Sequence, residues 1–205
     1  FQVGELAKCY FPGGIEISSL DEQQASAETQ SLLVQENITL FEPAIVFENC
    51  LVRVDILVKR GDHIFIHEVK AKSFDSTQGP EFLKRDGTPK SKWKKYLYDV
   101  AFQKWVVQRA MPWAVVSANL MLTDTSVRTA VAGLNQHFPI ITDADGRKRV
   151  QVDAELSAEY LNPPLLVSVN VDTICANIFT ANDHGLGIEE PFSHMVERFS
   201  ASCSE

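Results

Sequence analysis

The chain has no run of about 18 to 20 apolar residues, the length a membrane-spanning helix needs, and no charged start followed by an apolar core of the kind that marks a secretory signal. These absences lead us to expect a soluble, cytoplasmic protein without a membrane partner. Cysteine is scarce and dispersed: Cys9, Cys50, Cys175 and Cys203 contain no CxxC pair. That argues against a zinc knuckle and against a dense disulfide framework, and free thiols are expected. An excess of positive charge is missing too. Nineteen Lys and Arg face 27 Asp and Glu, for a net charge of -8, which argues against a globally basic nucleic-acid binder. Any polyanion must be held by a local patch. Internal repeats and low-complexity tracts are absent as well. What the chain does have is 205 residues, 45% of them hydrophobic, enough for one core of ordinary size. It begins at Phe1, and "FQVGELAKCYFPGG" reads as though already inside a folded unit, so a fragment or a processed chain is expected.

Periodicity and punctuation set out the elements. "SSLDEQQASAETQSLLVQ" (18–35) has serine cap candidates, early acidic residues and no Gly or Pro, which predicts a mostly solvated helix. Residues 37–73 give three strand-like runs broken at Glu48-Asn49 and Gly61-Asp62, an antiparallel meander. A long polar stretch, 72–92, reads as a loop. "SKWKKYLYDVAFQKWVVQRAM" (91–111) repeats Trp93, Leu97, Val100 or Ala101, and Trp105 at helical spacing, and 113–122 reads as a buried strand. "PIITDADGRKRVQV" (139–152) predicts a hairpin around Asp145-Gly146, and two short helices are expected to close the chain.

Within "VRVDILVKRGDHIFIHEVKAK" (52–72), Asp55 and Glu68 interrupt runs that otherwise read as buried. If Gly61-Asp62 is a two-residue hairpin loop, Arg60 faces His63, and stepping along both strands brings Asp55 opposite Glu68 and Lys70 opposite Arg53. Directly opposed like charges are destabilising. A divalent cation would resolve the conflict, since Mg²⁺ takes oxygen ligands and usually binds one or two protein carboxylates. A lysine beside it could orient or help deprotonate an attacking water.

Asp, twelve residues, then Glu-Val-Lys resembles the motif of the PD-(D/E)xK nuclease superfamily. With "FQVGELAKCYFPGG" and "YLYDVAFQ", the segments resemble its RecB-like branch, and within that the bacterial domain-of-unknown-function proteins related to CRISPR-associated RecB-like nucleases. The resemblance covers about residues 1 to 122. It implies an α/β fold with a restriction-endonuclease-like core of helix, three-strand meander, helix and strand over residues 1–125. A C-terminal hairpin and helical extension would follow over 126–205. It also implies that Asp55, Glu68 and Lys70 form the metal and catalytic site, with Mg²⁺ or Mn²⁺ as cofactor. Gln103 fits the branch's helix glutamine. The position one turn later is Val107, so Tyr98 or Tyr96 would have to supply the aromatic hydroxyl that relatives place there. Glu42, in "LFEPAIVF", is the candidate for an upstream acidic ligand. Relatives with an iron-sulfur cluster use a compact late group of cysteines. Cys175 and Cys203 are far apart, so no cluster is expected within this chain.

Each signal has a structural competitor. The hairpin could be exposed, leaving Asp55, Glu68 and Lys70 in solvent, and Gln103 could be a polar residue at a helix rim. His63 and His67 alternate onto the strand face opposite Glu68 and are set aside. The "DADG" turn lacks the other ligands of a calcium loop, and "GLG" (185–187) lacks a phosphate-loop context. Between residues 84 and 95 lie Lys84, Arg85, Lys90, Lys92, Lys94 and Lys95 against the single acid Asp86, with Trp93 among them. Cations can contact phosphates and an aromatic ring can stack a base. With Tyr98 these residues form the expected contact surface for DNA, as single strands or duplex ends. The resulting reading is a metal-dependent DNA nuclease. The alternative is a catalytically inactive nuclease-like module that binds nucleic acid or a protein partner.

Overall fold

A computed structural model describes residues 2–129, 132–142, 146, 148–157, 159–180, 192, 194, 196 and 197. The "GLG" stretch, Cys203, most of the "DADG" turn and most of the chain expected to carry a second closing helix lie outside these residues. The described chain is mixed α/β. Its elements are α1 (Gln2–Cys9), β1 (Ile15–Glu16), α2 (Glu22–Leu32), β2 (Asn37–Phe41), β3 (Ala44–Phe47), β4 (Cys50–Arg53), β5 (Ile56–Arg60), β6 (His63–Phe74), α3 (Ser91–Ala110), β7 (Val115–Asp124), β8 (Ile140–Thr142), β9 (Lys148–Val150), β10 (Leu166–Asn170) and α4 (Asp172–Thr180), with a 3₁₀ turn at Leu134–His137. A mixed sheet runs in the order β1-β2-β5-β6-β7-β10, and β3-β4 and β8-β9 form two-stranded sheets. No helix among the described residues is long and apolar enough to cross a membrane.

The chain clusters into two compact units, each built from separated segments. The first holds residues 1–14, 69–80 and 121–169; the second holds 15–68, 81–120 and 170–205. The boundary expected after residue 125 falls inside the first unit.

In the second unit the predicted meander is present, with a bend the sequence reading did not place. β2 pairs β5 from Asn37↔Arg60 to Phe41↔Ile56, and β3 pairs β4 from Ala44↔Arg53 to Phe47↔Cys50. No residue is gained or lost between the two ladders, so β2–β3 and β4–β5 are the arms of one long hairpin whose tip is Glu48-Asn49. Its bend lies at Glu42-Pro43 and Val54-Asp55. Glu42 takes φ +53, Pro43 has no N–H to give a ladder, and the arms stay joined by Glu42 N–H to Asp55 O (3.2 Å) and Val54 N–H to Pro43 O (3.2 Å). The next hairpin follows the expected register, with Arg60↔His63 through Ile56↔His67 paired around Gly61-Asp62. Gly61 takes φ +59 at the first central position, as a II′ turn requires.

α2 is shorter than predicted, and Asp21, rather than a serine, caps it, accepting from Gln24 N–H at 2.8 Å. Small side chains, Ala25, Ser26 and Thr29, form its buried face. Thr29 Oγ1 donates to Ala25 O and accepts from Ala44 N–H, so the helix lies close against β3. The loop before α3 is shorter and more ordered than expected, because β6 continues to Phe74. Within it, Lys84 N–H donates to Thr88 O and Lys90 N–H to Phe82 O, closing a small turn stabilised by Thr88 donating to Asp86. α3 begins where predicted, and Trp93, Leu97, Val100 and Ala101 are buried, while Trp105 is only half-buried and meets Phe47 edge to face at 5.6 Å.

In the first unit, Tyr10 OH accepts from Leu165 N–H at 3.0 Å and Gln2 Nε2 donates to Phe138 O at 2.8 Å. The predicted hairpin over 139–152 is β8–β9, paired from Ile140↔Val150 to Thr142↔Lys148.

Candidate active site at the buried Glu68 carboxylate

Alternation along β6 puts Ile64, Ile66 and Glu68 on one face, and all three are buried. Glu68 is only 3% exposed. A carboxylate there must be hydrogen-bonded to be tolerated. α3 supplies the partner: Gln103, 5% exposed, donates from Nε2 to Glu68 Oε2 at 2.6 Å. The same nitrogen reaches Asp99 Oδ1 at 3.3 Å, one helical turn earlier. Gln103 Oε1 is buried and has no hydrogen-bond partner among the described residues. The competing readings for these two residues fail, since Glu68 is not on a solvated hairpin and Gln103 is not at a helix rim. Asn119 of β7 adds support from a neighbouring strand, its Nδ2 donating to Ile66 O at 3.2 Å.

Asp55 is half-buried and stands on the bend, one residue beyond the last pair of the β5–β6 ladder. The register therefore points it toward Glu68, but the ladder does not include it. Arg53 is not opposite Lys70. The hairpin bends away before it, so Arg53 pairs across from Ala44 and its guanidinium donates to Ser19 O. Lys70, half-buried, follows Glu68 by two residues in the same strand and by alternation shares its face. Glu42 is half-buried and bound to Asp55 through the backbone. Among the described residues, no group of three or more His, Cys, Asp or Glu is placed to hold a metal ion. His67 is on the other face, as expected, and burial pushes its imidazole down to about 4.

The cationic stretch divides by exposure. Lys84, Arg85, Lys92 and Lys95 are exposed, and Lys90 and Lys94 are half-buried. Lys90 is paired with Glu81 at 2.9 Å. Trp93 is not a stacking platform: it is 3% exposed and packs edge to face on Phe82 at 5.0 Å. Tyr98 is half-buried against Phe192, with Lys94 Nζ over its ring at 5.5 Å, and Lys95 Nζ lies 4.8 Å over Tyr96. Among the described residues Cys9, Cys50 and Cys175 form no disulfide, and burial pushes Cys175 up to about 12.

Sequence reasoning missed Asp99 and Asn119. The spacing of Asp99 and Gln103 in "YLYDVAFQ", four residues on a helix, was the available signal for the first. Comparison with protein-family models, with curated proteins and with solved structures gives no match.

Proposed function

We propose that the chain is a Mg²⁺- or Mn²⁺-dependent deoxyribonuclease of the PD-(D/E)xK type, with α2, the bent meander, α3 and β7 as a restriction-endonuclease-like core. The observation that carries this reading is the hydrogen bond from Gln103 to a Glu68 carboxylate buried on an otherwise apolar strand face. A plain core would place leucine or valine there. The donor set fits a hard divalent cation, because it consists of the carboxylate oxygens of Asp55 and Glu68.

Asp55 and Glu68 would hold the cation, which when bound supplies positive charge for the phosphate oxygens as the phosphodiester is broken. Before the cation binds, Gln103 fixes the rotamer of Glu68. Lys70, two residues along β6, orients the attacking water. Substrate is held away from this point by the exposed cations. Lys92, Lys95, Asp99 and Gln103 follow one another at helical spacing along α3, so the basic start of the helix leads toward Glu68 over about 16 Å, at 1.5 Å per residue.

Placement of charge on α3 supports the same reading. Its first turn has no acidic residue, its N-cap Lys90 makes no side-chain capping bond, and Lys92, Lys94 and Lys95 follow. Cations at a helix N-terminus oppose the helix dipole. A segment arranged against its own helix is suited to an anion from outside, here the phosphate backbone.

The test is cleavage of single-stranded and duplex DNA by purified protein with and without Mn²⁺, beside Lys70→Ala. Wild type should cut only with metal, and Lys70→Ala should keep its fold and metal binding but lose cleavage. Cutting at the wild-type rate by Lys70→Ala removes that residue from the mechanism. Wild-type protein that binds DNA at saturating Mn²⁺ and leaves it intact favours the non-cutting module.

A further inference from the structure

The amide of Gln103 is half satisfied in an unusual way. Its nitrogen contacts two carboxylates, Glu68 at 2.6 Å and Asp99 at 3.3 Å, while its oxygen, attached to the same carbon, is buried without a partner. A buried acceptor left unpaired is costly, and such groups in native proteins call for an explanation. Turning the amide over about its last side-chain bond exchanges oxygen and nitrogen without other movement. In a site without a cation that exchange is unfavourable, because Oε1 would face two carboxylates. With a cation between them it becomes favourable, because the gain of Oε1 as a third hard oxygen ligand outweighs leaving Nε2 in the pocket that Oε1 vacates.

We propose that Asp99 and Gln103 Oε1 complete the metal site at Glu68, and that Gln103 Nε2 and a divalent cation compete for the same two carboxylate oxygens. This rests on the metal-dependent reading above, and adds two ligands to the Asp55–Glu68 pair. Two or three carboxylates, one amide oxygen and water suit Mn²⁺ and Mg²⁺, which retain several waters in protein sites. Asp99 is exposed on α3, so its side chain can swing toward the ion without repacking the core. Its place one turn from Gln103, on the line leading to Lys95 and Lys92, also sets the ion at the inner end of the cationic track.

Calorimetric titration of Mn²⁺ into the whole chain tests this, with Glu68→Gln and Asp99→Asn as the two variants. Wild type should bind Mn²⁺, and Glu68→Gln should abolish binding. Asp99→Asn should melt with wild type in the absence of metal, yet bind Mn²⁺ at least about tenfold more weakly, the scale on which supporting groups in metal sites act. A purely structural Asp99 would change melting and not affinity. If Asp99→Asn binds within twofold of wild type while Glu68→Gln does not bind, the proposal falls and the metal-dependent reading stands. If wild type itself does not bind, both fall. A second measurement follows the amide in protein labelled with ¹⁵N-glutamine. Saturating Mg²⁺ should shift the Gln103 side-chain NH₂ signals as they leave the carboxylates, and signals that stay in place overturn the exchange.

Discussion

At the scale of single residues, this chain keeps carboxylates in buried places by surrounding them with donors. Asp124 shows the electrostatic consequence in the first unit. Burial works against its charge, but Ser76 N–H, Ser126 N–H and Ser126 Oγ all donate to Oδ1, and together they hold its carboxyl down at about 2. A carboxyl whose folded value is depressed contributes stability above its ordinary value and loses it as pH falls through the folded one. The Asp124 contribution should therefore be complete at neutral pH and disappear between 3.8 and about 2. Asp124→Asn keeps the shape and one acceptor oxygen but no charge. It should melt below wild type at pH 7, and the gap should close as pH falls through that window. Melting curves of both proteins across pH check this, and a gap independent of pH would assign the loss to geometry rather than charge. Glu68 differs from Asp124 in that Gln103, a long side chain from another element, holds it. Such an arrangement fixes the carboxylate's direction.

At the scale of elements, α2 and α3 are each attached to the meander by a polar contact as well as by apolar packing. Lys59 on β5 is buried, and its Nζ donates to Leu33 O at 2.9 Å and Gln35 O at 2.6 Å, satisfying carbonyls where α2 ends. Methionine at position 59 would keep the packing of the stem and leave those carbonyls unpaired, so Lys59→Met should cost about 1 to 3 kcal/mol. Denaturant unfolding measures it, and an unchanged midpoint would mean that water replaces the amine. The strands show what the sequence did and did not reveal. The β5–β6 register was legible because two local signals agreed: Gly61-Asp62 specifies a two-residue turn, and the β-branched residues on both sides specify strand. The bend at Glu42 was not legible, since Pro43 marks an interruption but nothing in residues 37–60 says that the two ladders resume in the same register. β10 was missed for a similar reason, because a five-residue strand at the edge of a sheet depends on its neighbour β7 more than on its own pattern. Gln103 was legible only through resemblance; composition alone would have placed it on the surface, and the apolar residues around it are what bury it. Asp99 has an exposed position, and the contact made by Gln103 distinguishes it from the other acids of a solvated helix face. The interleaved units lie beyond any linear reading, since β6 and β7 each contribute to both.

At the scale of the whole molecule, a net charge of -8 repels DNA, so binding through the cluster of residues 84–95 would be local and strongly salt-dependent. Each phosphate contact releases a counterion, and log affinity falls with log salt by about 0.9 per contact on duplex DNA and about 0.7 on single strands. Lys90 is already paired with Glu81, so the exposed Lys84, Arg85, Lys92 and Lys95 are the groups to neutralise. Replacing all four with glutamine keeps length and helix propensity and removes four charges from a local patch. If all four contact phosphates, the salt slope should become shallower by about 3 to 4. Binding at low salt should weaken without a change in sequence preference, since phosphate contacts carry no base information. The helix dipole makes the same substitutions act in the opposite sense on folding. Lys92 and Lys95 stand in the first turns of α3, where cations are unfavourable, so the variant should melt at or slightly above wild type at low salt and converge with it at high salt. A surface kept for solubility would show this effect on folding but no loss of slope. Fluorescence anisotropy with labelled single-stranded and duplex DNA across a salt series, with melting curves in the same buffers, measures both. An unchanged slope would assign the segment to solvent and remove it from the proposed contact with DNA.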